Sequence, residues 1–146
     1  MNKRFWLAVG TGLWVVSWLT GCGAPAQRTG GSAEETVDAF YAWYSAIEGS
    51  PVGGGAYHDC EYLSADYIDK IDALVASFRE SGGGYDPFIC AQDRPTEIKV
   101  IGSEGTPELT RVTVEAWHSI YVDVTLTDQE WQIVDIHCSM PEASAG

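Results

Sequence analysis

At 146 residues the chain has room for one domain, and a hydrophobic content of 45% with six Trp and seven Tyr supplies a core and excludes wholesale disorder. Eight Lys and Arg stand against 21 Asp and Glu, a formal charge of −13. Such a surface repels phosphate, which excludes direct nucleic-acid binding, and it gains nothing from anionic lipid head groups, so the surplus reads as a solvated surface.

Residues 1–21 contain Lys3 and Arg4 and no acid, which leaves six bases against 21 acids, about −15, in the remainder. Those two cations form a positive start, and residues 5–19 (FWLAVGTGLWVVSWL) are apolar and uncharged. Fifteen helical residues span roughly 22 Å, short of the ~30 Å hydrocarbon core, so the run reads as a signal segment and not as a membrane span. It ends in Leu19-Thr20-Gly21-Cys22, an aliphatic residue and two small ones before a cysteine. This resembles the lipobox of bacterial lipoproteins. The resemblance implies diacylation of the Cys22 thiol and cleavage just before it, giving a signal peptide at 1–21 and an anchor in the membrane. Two or three acyl chains hold firmly where one does not, at about 0.8 kcal/mol per buried CH₂. Gly23, where inner-membrane retention resembles Asp, favours the outer membrane in a host that has one. Residues 22–31 are small, polar and broken by Pro and Gly, a flexible tether.

The folded domain is expected over 32–139, with a frayed tail at 140–146. Ser32-Ala-Glu-Glu35 is a capping box. Behind it Val37, Phe40, Tyr41, Tyr44 and Ile47 recur at helical spacing, and Gly49 ends a first helix of about 33–48. A Gly-rich loop leads to Leu63-Ser64. Ser64 caps a second helix, with Ile68, Ile71, Leu74, Val75 and Phe78 as its stripe and Gly82-Gly83-Gly84 as its stop. After Pro95 the period changes to two. Ile98 and Val100 mark one strand; Val112, Val114 and Ala116 a second; Ile120, Val122, Val124 and Leu126 a third; a turn at 127–130 precedes a last strand from Trp131 to His137. Two N-terminal helices packed on a curved four-stranded antiparallel sheet make an α+β domain.

From Ser32 to Cys138 the chain resembles the DUF3828 family of small exported or lipid-anchored bacterial proteins. The resemblance rests on FYAWY (40–44), on Tyr85-Asp-Pro-Phe-Ile-Cys-Ala-Gln-Asp93 and on the ending Glu130-Trp-Gln-Ile-Val-Asp-Ile-His-Cys138. The element order is similar to the NTF2-like, or cystatin-like, cone, in which a curved sheet wraps a helix and leaves a pocket at one end. The resemblance implies no reaction; it implies an accessory part of an envelope assembly. Asp86-Pro87 also reads directly as turn chemistry, the carboxylate bonding a backbone N–H two residues on and Pro87 fixing φ.

With lipid on Cys22, three cysteines remain, and an exported location favours one bridge among Cys60, Cys90 and Cys138. Cys90–Cys138 is favoured because both lie in the segments that resemble the family; Cys60–Cys90 is the alternative. A loop of about 50 residues so closed stabilises by roughly 4 kcal/mol. The cysteines lack C-x-x-C spacing and His118 and His137 fall on different strands, so no metal and no cofactor are expected.

NTF2-like enzymes place Asp, His and Tyr inside the cone to move protons beside a carbonyl. The corresponding types here are Asp123, Asp135, His118, His137, Tyr44 and Tyr121, with Trp43 beside the helix stripe as a further pocket or partner residue. Asp135 faces the core if Trp131 and Ile133 do, and water if Val134 and Ile136 do. There is no triad, nucleophile elbow or phosphate loop, and therefore no catalytic set. The expectation is a membrane-anchored, non-catalytic binding or accessory module of the cell envelope, facing the periplasm or the exterior and meeting an envelope protein or a small ligand. The alternative is a small lyase- or isomerase-type enzyme that uses the cone pocket.

Overall fold

The computed structural model describes residues 31–139. The signal segment, Cys22, all of the tether but Gly31, and the tail lie outside the described residues. Within them, helix α1 (Ala33–Ala46) and helix α2 (Ala65–Ser81) precede a meander of β1 (Lys99–Thr106), β2 (Leu109–Glu115), β3 (Ser119–Thr127) and β4 (Glu130–His137), with a short 3₁₀ turn at Ala56–Asp59. The four strands lie in chain order and pair antiparallel throughout. Two N-terminal helices on an antiparallel sheet are thus present, as the change of hydrophobic period predicts. None of the described helices is long and apolar enough to cross a membrane.

The start of α1 is built as its sequence reads. Ser32 Oγ accepts from the Glu35 amide at 3.1 Å, and the Glu35 carboxylate accepts from the Ser32 amide at 2.8 Å. The helix stops at Ala46, two residues short of the expected 48, because Ile47 turns extended. Val37, Phe40, Tyr41 and Tyr44 are all buried on one face, which lies across the sheet and meets all four strands. Opposite them stand Val112 and Val114 of β2, Ile120, Val122 and Val124 of β3, and Ile133 and Ile136 of β4. Complete burial of one such ring stabilises by about 3 kcal/mol, so this face holds helix to sheet.

Helix α2 is the outlier. It starts at the Ser64 cap and ends at Gly82 in the left-handed region, φ +74°. Only Tyr67 and Ile71 of it are buried, and of the strands it packs chiefly on β4. The expected stripe is mostly half-exposed, and Tyr67, which the stripe omitted, is its main anchor. The chain just before it runs parallel to β4. Ser64 donates to the Ile133 carbonyl at 3.0 Å and Ile133 donates to the Tyr62 carbonyl at 2.8 Å. Strand β4 is therefore capped at its outer edge, as an unpaired strand edge requires.

Two bulges break the two-residue alternation, at Ile101 in β1 and at Val134 in β4. The second resolves the facing of β4 in a way neither simple alternative allows. Ile133 pairs with Val124 and Ile136 with Val122, and both face α1, because Val134 is the extra residue between them. Asp135 then pairs with Asp123 on the opposite side of the sheet.

The hairpin tips also carry strain. Gly105 has φ +128°, and a Cβ there would lie 2.3 Å from the Leu109 carbonyl oxygen, so only glycine fits. In the β3–β4 turn Asp128 and Gln129 have φ +52° and +69°, the signs a tight primed hairpin turn needs and the ones glycine meets at least cost. Gln129→Gly is expected to raise the unfolding free energy by about 1 kcal/mol in urea titration.

Candidate functional site

The face of the sheet away from α1 carries a row of charge across all four strands. Register places Glu104 of β1 opposite Arg111 of β2, Arg111 opposite Asp123 of β3, and Asp123 opposite Asp135 of β4. Two carboxylates facing each other across a ladder repel. The structure offsets this with a cation for each. Arg111 clamps Asp123 with two bonds, Nε to Oδ1 at 2.8 Å and Nη2 to Oδ2 at 2.9 Å. Lys70 of α2 reaches Asp135 Oδ2 at 2.5 Å. The His137 ring stands between the two acids, with Nε2 at 3.0 Å from Asp123 Oδ2 and 3.8 Å from Asp135 Oδ2. The Asp123 side chain is only 10% exposed and the Arg111 side chain 25%. The Asp123 hydrogen bond is the first cause that holds the Arg111 guanidinium above its usual range.

The expected pocket residues therefore divide. Asp123 and Asp135 come together with His137 on the open face. Tyr44 and Trp43 sit across the sheet on α1, where Trp43 is half-buried and stacks on Phe40 at 5.6 Å between ring centroids. His118 lies in the β2–β3 turn, and Tyr121 pairs with His137 in the ladder. Arg111 and Lys70 escaped the sequence reading. Alternation puts Arg111 on the outward face, but its partner emerges only from the register that the short turn at 116–118 imposes.

Tyr44 belongs to a second arrangement, centred on Asp86. Its hydroxyl donates to Asp86 Oδ2 at 3.0 Å, while Asp86 Oδ1 accepts from the Phe88 amide at 2.9 Å, the bond expected of Asp-Pro turn chemistry. The turn closes with Cys90 donating to the Asp86 carbonyl at 2.8 Å, and Cys90, at φ +54°, is joined to Cys138 by a disulfide. Tyr41 donates to the Phe88 carbonyl at 2.8 Å from within the core. Burial of its ring raises the Tyr41 hydroxyl well above the ordinary range. Tyr41→Phe leaves that carbonyl without a partner and is expected to cost about 1–2 kcal/mol, read as a lower denaturation midpoint at unchanged m-value.

Arg94 closes this region. Its guanidinium donates to the carbonyls of Ile47 at 2.8 Å and Gly49 at 2.6 Å, just beyond the end of α1, and it lies 4.7 Å over the Tyr44 ring. A shallow cleft of about 490 Å³ lies between Tyr44, Ser50, Tyr85, Asp86, Gln92 and Arg94. Burial raises the Asp86 carboxyl above its usual value, against the lowering effect of the Phe88 amide, Tyr44 and Arg94. A raised carboxyl binds its proton more readily folded than unfolded. Its share of stability is complete below about pH 3.9, the ordinary Asp value, and declines as pH rises through the raised one. Asp86→Asn is expected to flatten that part of a stability-against-pH curve measured by urea titration.

A third cluster joins the 3₁₀ turn to α2. Tyr57 donates to Asp72, and His58 presents Nε2 to the same carboxylate at 2.9 Å and Nδ1 to the Gly55 carbonyl at 3.0 Å. The Tyr57 hydrogen bond is the first cause that lowers the half-exposed Asp72 carboxyl. Cys60 is a buried free thiol pushed up to about 11 by burial, which keeps it protonated and unreactive at neutral pH. Among the described residues, no group of three or more His, Cys, Asp and Glu is placed to hold a metal ion.

No family model and no curated protein matches the sequence. The fold is similar to that of a chain in the type VI effector–immunity complex Tae3–Tai3 from Ralstonia pickettii. In the selenomethionine crystal structure of that complex the TM-score is 0.58 at 20% identity, over 77% of this chain and 100% of that one. The native crystal structure of the same complex gives a TM-score of 0.59 over 77% and 98%. A protein of unknown function from Bacteroides thetaiotaomicron VPI-5482 matches at a TM-score of 0.52 and 24% identity, over 72% of this chain and 88% of that one. At these identities the likeness establishes a small α+β fold.

Proposed function

We propose that the protein is a lipid-anchored, non-catalytic binding module of the bacterial cell envelope that docks on another protein. Its anchor is Cys22, and its body is a DUF3828-type, NTF2-like cone held off the membrane by residues 22–31. The observation that carries the non-catalytic part is the engagement of both candidate proton-transfer acids. A general base needs a free carboxylate beside a substrate-sized apolar cavity. Asp123 is held by Arg111 and His137, and Asp135 by Lys70, on an outward sheet face. The docking part draws support from the neighbour in the Tae3–Tai3 complex, a chain of similar fold that works as one member of a protein pair. The anchoring part rests on the positive start, the short apolar run and Leu19-Thr20-Gly21-Cys22.

Growth with an alkyne-tagged palmitate, followed by click labelling, tests the anchor. The wild-type chain is expected to take up label and sediment with membranes, and Cys22→Ser to do neither. Equal labelling of the two would overturn the assignment of Cys22. Turnover of any carbonyl substrate that Asp135→Asn abolishes, with the fold intact by circular dichroism, would overturn the non-catalytic reading.

A further inference from the structure

Two clefts meet at the glycine-rich loop that follows α1. The first, of about 490 Å³, runs from Arg94 and Asp86 to Val52. The second, of about 430 Å³, runs from Val52 to His58 and to Asp72 and Arg79 of α2. Val52 lines both, so the 49–55 loop forms one wall of a continuous groove. The other wall is the C-terminal half of α2 and then Gly84, Tyr85 and Asp86.

The cations of the chain fall unevenly about this groove. Lys70, Lys99 and Arg111 each form an ion pair with a carboxylate. Among the described residues, Arg79 and Arg94 are the two Lys or Arg side chains that form none, and each lines one of the two clefts. The carbonyls that Arg94 holds cancel none of its charge. Arg79, exposed on α2, acts on Asp72 and Tyr57 through its charge without contact. The acids of the groove are already engaged. Asp86 accepts from Tyr44 and from the Phe88 amide, and Asp72 accepts from Tyr57 and meets His58. Two guanidiniums without an ion pair, in the two halves of one groove on a chain of charge −13, complement carboxylates that come from elsewhere.

The walls also suit a main chain. Gly53 and Gly54 have ordinary φ, so the turn does not require glycine there, and at Gly53 a Cβ would meet only Ser50, at 3.4 Å. Bare backbone at these positions lets another backbone lie close. Tyr85, 42% exposed, offers an aromatic surface on the opposite wall. The groove lies at the end of α1 away from the tether. That helix starts at the Ser32 cap and runs about 20 Å, and Ile47 and Gly49, which Arg94 holds, follow its last residue. An anchor at Cys22 therefore favours a protein in the groove over the lipid surface. The acidic surplus still repels a polyanion, so a few carboxylates on a peptide fit where dense phosphate does not.

We infer that the groove along the 49–55 loop, between Arg94 and Arg79, docks an extended acidic segment of the partner protein. The inference rests on the docking function proposed above and gives it a location and a partner chemistry.

The test uses the full lipidated chain in its own cells, with a photo-crosslinking residue at position 53 or 85 in the groove, at Thr113 on the open sheet face, or at Ala42 on the exposed side of α1. Adducts are expected from 53 and 85 with one protein, through a peptide that carries two or more Asp or Glu. Arg79→Gln is expected to cut their yield about threefold or more, and Arg79→Gln with Arg94→Gln tenfold or more, whereas Glu80→Gln leaves it unchanged. Urea titration separates lost docking from lost folding. If the double variant unfolds, Arg79→Gln alone decides, because Arg79 holds no part of the fold by a hydrogen bond. Adducts from the groove that survive Arg79→Gln, that lie in a peptide without acids, or that prove to be lipid, glycan or a second copy of the chain would overturn the acidic partner segment. Adducts from Thr113 or Ala42 alone would overturn the groove while leaving a docking function in place. No adduct from any of the four positions would overturn docking itself.

Discussion

Replacing Cys90 and Cys138 together by serine is expected to lower the unfolding free energy by about 4 kcal/mol, the largest effect of any change outside the core. The bridge closes a loop of 48 residues, and removing it returns that closure entropy to the unfolded chain. Total stability of a domain this size is roughly 5–15 kcal/mol, so the loss takes a large share of it. The damage has a location. Cys90 closes the Asp86-Pro87-Phe88 turn, whose Phe88 and Ile89 are buried under α1, and Cys138 follows the last residue of β4. Without the bridge the turn remains held by Tyr41 and Tyr44 through two hydrogen bonds. Circular dichroism is therefore expected to show retained helix and sheet with a melting temperature lower by about 15–25 °C. An unchanged melting temperature under oxidising conditions would mean that the bridge contributes nothing.

Arg111→Ala is expected to cost about 3 kcal/mol. It removes two hydrogen bonds from a carboxylate that is nearly out of water and faces Asp135 across the ladder. Asp123→Ala removes the acid and leaves Arg111 to turn toward Glu104 and solvent, so its cost is expected to be smaller. The double substitution is expected to cost clearly less than the two singles summed, because the unpaired buried carboxylate appears in Arg111→Ala alone. Additive costs in chemical denaturation would mean that the row is a set of independent surface contacts.

Much of the fold was legible because its signals are local. The Ser32 and Ser64 caps, the aromatic spacing of α1, the glycine stop at 82 and the alternation of β2 and β3 each depend on neighbours a few residues away. The facing of β4 was not, because a bulge shifts the phase in mid-strand. In Trp131-Gln-Ile-Val-Asp-Ile136 the apolar residues fall first at 131 and 133 and then at 134 and 136, and that double phase is the trace a bulge leaves. Helix α2 misled for a different reason. Its stripe has helical spacing, but only one end of it meets the sheet, so Tyr67 and Ile71 are buried while Leu74 and Phe78 are not. The open-face row needed long-range register. Asp123 and Asp135 were visible as acids among apolar neighbours, yet Lys70, 65 residues before Asp135 in sequence, has no local signal at all.

The most direct measurement is quantitative co-purification from chemically cross-linked cells, comparing the lipidated wild type with Cys22→Ser at matched expression. A lipid-anchored docking module predicts one protein recovered in near-equal molar amount with the wild type and strongly reduced with Cys22→Ser. Recovery of no protein in stoichiometric amount from wild-type cells would contradict it.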